Sequence, residues 1–318
     1  MDFLTVLRSL GSVAVILVLV AAGVFVERRK WFPGESWKGL GSIVVNIAMP
    51  CSAFYYLTDG FTRESLASAG IGMLAYAAVI AVSWAASLLL AKSIKVPAAR
   101  KGVFAATAAF SNTVFIGVPM TEMLFGAEGV KYAFMAFLPN MTLFWTLGFL
   151  GIRRDTEPHG PAFASGWAKK LLNPTLVVTV VALLFILTGL QPPEILKQAT
   201  KTMGGLVSPA ALIYCGMLLS SMGFRNLRID RSHIVSMLVR FVLSPLMAAV
   251  ALMLLPLPDM MTRVLIAQAA MPAMSQISIV AGLYKADAQY AATGFMLTTV
   301  ASALFIPIIM VLMGMFVH

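Results

Sequence analysis

The chain has 318 residues, 60% of them apolar and 11% charged, against about 25% charged residues in soluble domains. That composition excludes a soluble globular protein and indicates an integral membrane protein built of helices. The net charge of +10 does not call for a nucleic acid, because the basic residues fall in alternate connections between apolar segments, as membrane topology requires.

Segments of about 20 apolar residues, enough to cross a ~30 Å hydrocarbon core, are predicted at 4–26, 37–57, 65–91, 102–124, 131–152, 171–190, 204–224, 232–255, 263–284 and 289–316. The first is too long for a secretory signal and is followed, not preceded, by Arg28-Arg29-Lys30, so it is expected to stay as a helix. The longest connections, 153–170 and 190–203, leave no room for a separate soluble domain. Arg28, Arg29, Lys30 and Lys38, then Lys92, Lys95, Arg100 and Lys101, then Arg153, Arg154, Lys169 and Lys170, then Arg225, Arg228 and Arg231, and finally Lys285 all fall on one side. That side is expected to be cytoplasmic, which puts both termini of a ten-span, multi-pass cell-membrane protein outside.

Polar residues inside the spans are the informative ones. The second span carries Asn46 and Pro50, and the fourth is interrupted by Ser111-Asn112-Thr113-Val114-Phe115-Ile116-Gly117-Val118-Pro119 and followed by Glu122. Asn140 follows Pro139 in the fifth span, Arg240 lies well inside the eighth, and the ninth contains Ala270-Met271-Pro272-Ala273-Met274-Ser275-Gln276-Ile277-Ser278. In hydrocarbon an unpaired backbone group costs several kcal/mol, so a broken helix persists only where protein or a polar cavity satisfies it. Cys51 and Cys215 fall within spans and read as packing residues, while His159, His233 and His318 are too scattered for a metal site.

Laid on itself, the chain pairs Pro50 with Pro209, Tyr55 with Tyr214, Ala127 with Ala286 and Glu128 with Asp287, each 159 residues apart. The same shift superposes the interrupted fourth span on the ninth. An odd number of spans per half makes the halves inverted, the arrangement of secondary transporters with a site near the midplane. The expected fold is therefore all-α, with a first five-helix repeat at 1–152, a cytoplasmic linker at 153–170 and an inverted second repeat at 171–318.

The run Ser111 to Pro119 resembles the Asn-Thr-x-Phe-x-Gly-x-Pro signature of the auxin efflux carrier family, which includes plant auxin exporters and bacterial malonate and malate permeases. Asn46-Ile47-Ala48-Met49-Pro50 resembles the family's second-helix motif, and Met271-Pro272 followed by Ser275 its ninth-helix motif; Ala273 and Gln276 depart from it. The resemblance implies a ten-helix carrier, similar in architecture to bile-acid sodium symporters, with helices four and nine crossing. It also implies a still scaffold of helices one, two, six and seven, a moving domain of helices three to five and eight to ten, alternating access, and a homodimer.

At such a crossing each half-helix presents about half a unit charge, and free N–H groups at helix starts hold anions. The substrate-binding candidates are Ser111, Asn112, Thr113, Ser275, Gln276, Asn46, Asn140 and Arg240. Arg240 has two readings, a counter-ion for a substrate carboxylate, or a structural cation that snorkels to the surface or pairs with a helix C-terminus. Backbone breaks are assigned to Gly117, Pro119, Pro272 and Pro50, with Pro119 and Pro272 at helix starts, where their missing donor is harmless. Glu122 and Ser278 are candidates for ion coupling, with H+, Na+ and uncoupled movement all left open. The expected partners are a small organic anion, mono- or dicarboxylate or auxin-like, and the lipid bilayer, with no other cofactor. A channel would need charged rings, and an enzyme a nucleophile with its base or a metal cluster; the spans carry neither.

Overall fold

The computed structural model describes residues 3–157, 173–223 and 228–316. His159, Trp167, Lys169, Lys170, Arg225, His318 and most of the 153–170 connection lie outside the described residues. The described chain is helical, in the order α1 (Phe3–Arg28), α2 (Lys38–Gly60), α3 (Arg63–Ser93), α4 (Lys101–Ala109), α5 (Thr113–Arg154), α6 (Pro174–Thr188), α7 (Glu194–Met222), α8 (Arg231–Met253), α9 (Asp259–Ala269), α10 (Gln276–Leu283) and α11 (Ala288–Phe316). Six of these, α2, α3, α5, α7, α8 and α11, are long and apolar enough to cross a membrane, which makes this a multi-pass α-helical membrane protein.

Local chemistry fixes the helix ends. Thr62 and Ser65 form a capping box at the start of α3, as do Asp230 and His233 at the start of α8. Asn173 caps α6 by accepting from the Leu176 N–H at 2.9 Å, with Pro174 in the first helical position, and Gly189 ends α6 in the left-handed conformation at φ 72°. Helix α5 doubles back at Gly126, whose φ of 69° only glycine adopts readily. Residues 190–203, expected as a connection, instead contribute an amphipathic stretch, Glu194–Gly204, that starts right after Pro192-Pro193 and forms the first part of α7.

Wide, five-residue π turns interrupt several helices, and three of them end two residues before a proline: Val44–Ala48 before Pro50, Thr113–Gly117 before Pro119 and Val239–Leu243 before Pro245. A proline ring collides with the carbonyl four residues earlier and cannot donate to it; widening the turn relieves both problems. Pro50 and Pro119 therefore sit past a π turn inside continuous helix. The sequence had placed Pro119 and Pro272 at helix starts; Pro119 lies six residues into α5, and Pro272 four residues before α10 begins.

Packing divides along two sets of neighbours. Helix α1 lies along the Val207–Met222 part of α7, and α6 along the Met49–Gly60 part of α2. In the first pair Gly23 and Gly216 face each other so closely that a Cβ on Gly23 would strike the Ile213 carbonyl and one on Gly216 the Val20 carbonyl, the small-residue contact that lets membrane helices approach. Around them α3, α4, α5, α8, α9, α10 and α11 pack mainly on one another. Replacing Gly216 by Leu should lower thermal stability in detergent by the equivalent of about 1–3 kcal/mol, the usual cost of overpacking. Gly39→Ala, where a Cβ meets nothing within 4 Å, should leave the melting midpoint unchanged.

Candidate functional site

The centre of the molecule is where α4 stops at Ala109 and α9 at Ala269. Both breaks occur in buried chain, and they satisfy each other. The Asn112 N–H donates to the Pro272 carbonyl at 2.8 Å and the Met274 N–H to the Phe110 carbonyl at 3.1 Å, an antiparallel bridge between Ser111 and Ala273.

Side chains from α5, α8, α9 and α11 complete it. The Asn140 amide of α5 grips both backbone groups of Ser111, accepting from its N–H at 3.0 Å and donating to its carbonyl at 2.9 Å. Thr298 of α11 does the same service for Ala273, accepting its N–H at 3.0 Å. The Ser111 hydroxyl donates to the Gln268 carbonyl at 2.9 Å, and the Gln268 side chain donates to Thr121 Oγ1 in α5 at 2.8 Å. A Cβ on Gly117 would run into that amide. Gln268 therefore ties the end of α9 to the start of α5 on both sides of the break.

Arg240 of α8 is completely buried. It donates from Nη1 to Ser111 Oγ at 2.8 Å and from Nη2 to the Thr107 carbonyl at 3.0 Å, beside the Tyr76 hydroxyl. A cation there meets the negative end of α4, the second of its two readings, and Arg240 does not reach the cleft.

The cleft lies on the other side of the bridge, with about 560 Å³ of empty space counting its open mouth. Its floor is Asn112, Phe115, Met274 and Ser275, and its walls include Val45, Met49, Phe137, Met141 and Trp145, with Asn173, Thr175 and Gln276 adding polar groups. None of the lining residues is charged. Asn112 accepts from the Phe115 N–H through Oδ1 at 3.2 Å, while its Nδ2 has no partner; Gln276 Oε1 is likewise unpartnered.

Of the residues singled out in the sequence, Asn112, Ser275 and Gln276 line the cleft. Ser111, Asn140 and Arg240 hold the bridge, Pro272 contributes a carbonyl to it, and Thr113 is buried with an unpaired hydroxyl. Ser278 returns its hydroxyl to the Ser275 carbonyl at 2.8 Å. Asn46 is exposed, while its neighbour Val45 lines the cleft; both belong to the π turn Val44–Ala48, which changes the face each residue presents. Glu122 accepts from the Tyr56 hydroxyl at 3.3 Å and from the Ser208 hydroxyl, linking α5 to α2 and α7. Sequence reasoning missed Gln268, Thr298, Trp145, Asn173 and Thr175. Thr298 was within reach of it, standing 158 residues after Asn140, one short of the repeat interval.

At the basic end of the molecule Asp155 accepts from the Gly102 and Val103 N–H groups at 2.7 and 2.9 Å, anchoring the start of α4. Burial outweighs those bonds and raises its carboxyl from an ordinary 3.8 to about 6.

Comparison with known proteins places this geometry among transporters. A family model described as "Membrane transport protein" matches residues 9–161 and 162–310. A protein of Methanocaldococcus jannaschii named as an uncharacterized transporter is 23% identical over 92% of this chain and 95% of its own length. Another from Methanothermobacter thermautotrophicus, also named an uncharacterized transporter, is 26% identical over 94% and 97%.

Two outcomes follow from these contacts. Asn140→Ala strands the Ser111 N–H and carbonyl in a dry interior and should cost about 1–3 kcal/mol for each group, read as a fall in the melting midpoint. Because the folded protein holds the Asp155 proton more tightly than the unfolded chain does, stability should decline as pH rises from about 4 to about 6. Asp155→Asn should remove that slope.

Proposed function

Because the chain belongs to the membrane transport protein family, that of the auxin efflux carriers, and is a transporter with no enzymatic role, we propose that it is a secondary active carrier of small organic anions. The anion sits in the cleft below the paired breaks. The observation that carries this reading is the cleft floor. Two half-helices, α5 and α10, begin there at Thr113 and Gln276, with Asn112 presenting an unused donor between them, and helix starts of this kind favour anions.

The mechanism is alternating access between two inverted five-helix halves, 1–152 and 171–318, joined by the 153–170 linker, counting α4 with the first part of α5, and α9 with α10, as single broken spans. The packing supports it. The first helix of each half lies along the second span of the other half, α1 on α7 and α6 on α2, as an in-plane two-fold axis would demand. The two segments matched by the family model also meet between residues 161 and 162, inside the linker.

Helices α1, α2, α6 and α7 form the scaffold, and the remaining helices move against it. We take the cleft to open toward the basic, cytoplasmic side, where Trp145 and Asn173, both partly exposed, line it. The opposite side is closed by Glu122 on Tyr56 and Ser208 and by Lys131, whose Nζ donates to the Gly60 carbonyl at 2.9 Å. Glu122 thus spans the sliding boundary, which is where ion coupling is assigned. Both termini lie outside, and two copies assemble as a dimer.

The test is uptake of radiolabelled malonate, malate, lactate and indole-acetate into proteoliposomes, under separate pH and sodium gradients. At least one acid should accumulate, and Asn112→Ala should reduce its uptake by about tenfold, the loss of one charge-assisted hydrogen bond. If none moves, or if a folded Asn112→Ala protein transports normally, the anion assignment fails.

A further inference from the structure

We propose that the cleft accepts an organic anion with one negative charge and an apolar body, and that it rejects a second charge, so that a dicarboxylate enters only as its singly protonated monoanion. The inference rests on the reading of the cleft as an anion site and narrows it.

The first ground is the supply of positive charge. Among the described residues no lysine, arginine or histidine lines the cleft. The completely buried arginine nearby, Arg240, is spent on the far side of the bridge, on Thr107 and Ser111. What remains is the pair of helix starts at the floor, α5 and α10, each worth about half a unit charge. Together they match one anion.

A third helix start, that of α6, reaches the cleft at Asn173 and Thr175, but Asn173 is partly exposed at the rim, where water weakens the field.

The second ground is the unpartnered donor. Asn112 is 2% exposed, and its bond to the Phe115 N–H fixes Oδ1 toward the backbone, so Nδ2 is the atom left over. It offers one carboxylate oxygen a buried partner. A second carboxylate on the same substrate would lie among Met49, Phe137, Met141 and Trp145, where an ionised group without a partner is expelled or neutralised. Taking up a proton is the neutral route, and the proton then travels with the substrate.

The experiment uses pairs of acids with matched bodies and different charge, monoethyl malonate with malonate and benzoate with phthalate, in proteoliposomes of the full-length protein between pH 5 and 8. Uptake of the monoacids should be nearly flat with pH. Uptake of the diacids should fall by about tenfold for each pH unit above their second ionisation, following the monoanion fraction. Thr175→Lys, adding a cation to the wall, should flatten the diacid profile. Diacid uptake that is pH-independent and equal to that of the matched monoacid overturns the one-charge limit and leaves the carrier reading standing. Failure of all four acids to move, or to raise the melting midpoint, removes the anion site itself and this inference with it. If Thr175→Lys does not fold, the wild-type pH profiles decide.

Discussion

In an apolar surrounding a peptide group released from its helix has only other protein groups to turn to, and the rest of this structure depends on how that demand is met. Phe110–Asn112 and Pro272–Met274 exchange backbone bonds across the centre. The bridge then needs Asn140 and Thr298 for the groups it leaves over, Gln268 to join the two broken helices, and Arg240 to answer the negative end of α4. Five helices are committed to one pair of breaks. A motion that parted them would strand several buried polar groups, so the crossing moves as one body or not at all.

This arrangement separates fastening from binding. Ser111 and Asn140 use their hydrogen bonds on the bridge. Asn112 Nδ2 and Gln276 Oε1, which have no partner, belong to residues that line the cleft. Arg240 is the instructive case. A buried guanidinium suggests a counter-ion for a substrate, yet its partners are a carbonyl, a hydroxyl and a neighbouring tyrosine, all neutral. Its charge is answered by the helix terminus, which leaves the cleft itself without a side-chain charge.

Much of this was legible in the sequence because polar residues in an apolar run are conspicuous. Asn112, Asn140, Ser275, Gln276 and the depth of Arg240 could all be picked out that way, and the repeat interval pointed to a second break. Direction was harder to read. The face that Asn46 presents depends on a π turn, which advances fewer degrees per residue than the roughly 100° of an ordinary helix, so counting along the span misplaces it. The depth of Arg240 follows from its distance to the helix end, but its partner belongs to another helix. Glu194–Gly204 escaped notice because its polar face lowers the mean hydropathy by which spans are found, although the Pro192-Pro193 pair marks its start. Trp145 of α5 meets Asn173 and Thr175 at the start of α6, and no local pattern announces such a meeting.

The bridge also sets a schedule for biosynthesis. Ala273 follows Ser111 by 162 residues, and ribosomes add about 5–20 residues per second. For roughly 10 to 30 s the first break is therefore present in a nascent chain whose complementary half does not yet exist. During that interval Asn140, only 29 residues downstream of Ser111, is the first side chain able to shelter its exposed peptide groups, so the amide that fastens the finished crossing also serves as its temporary guardian while the second half is made.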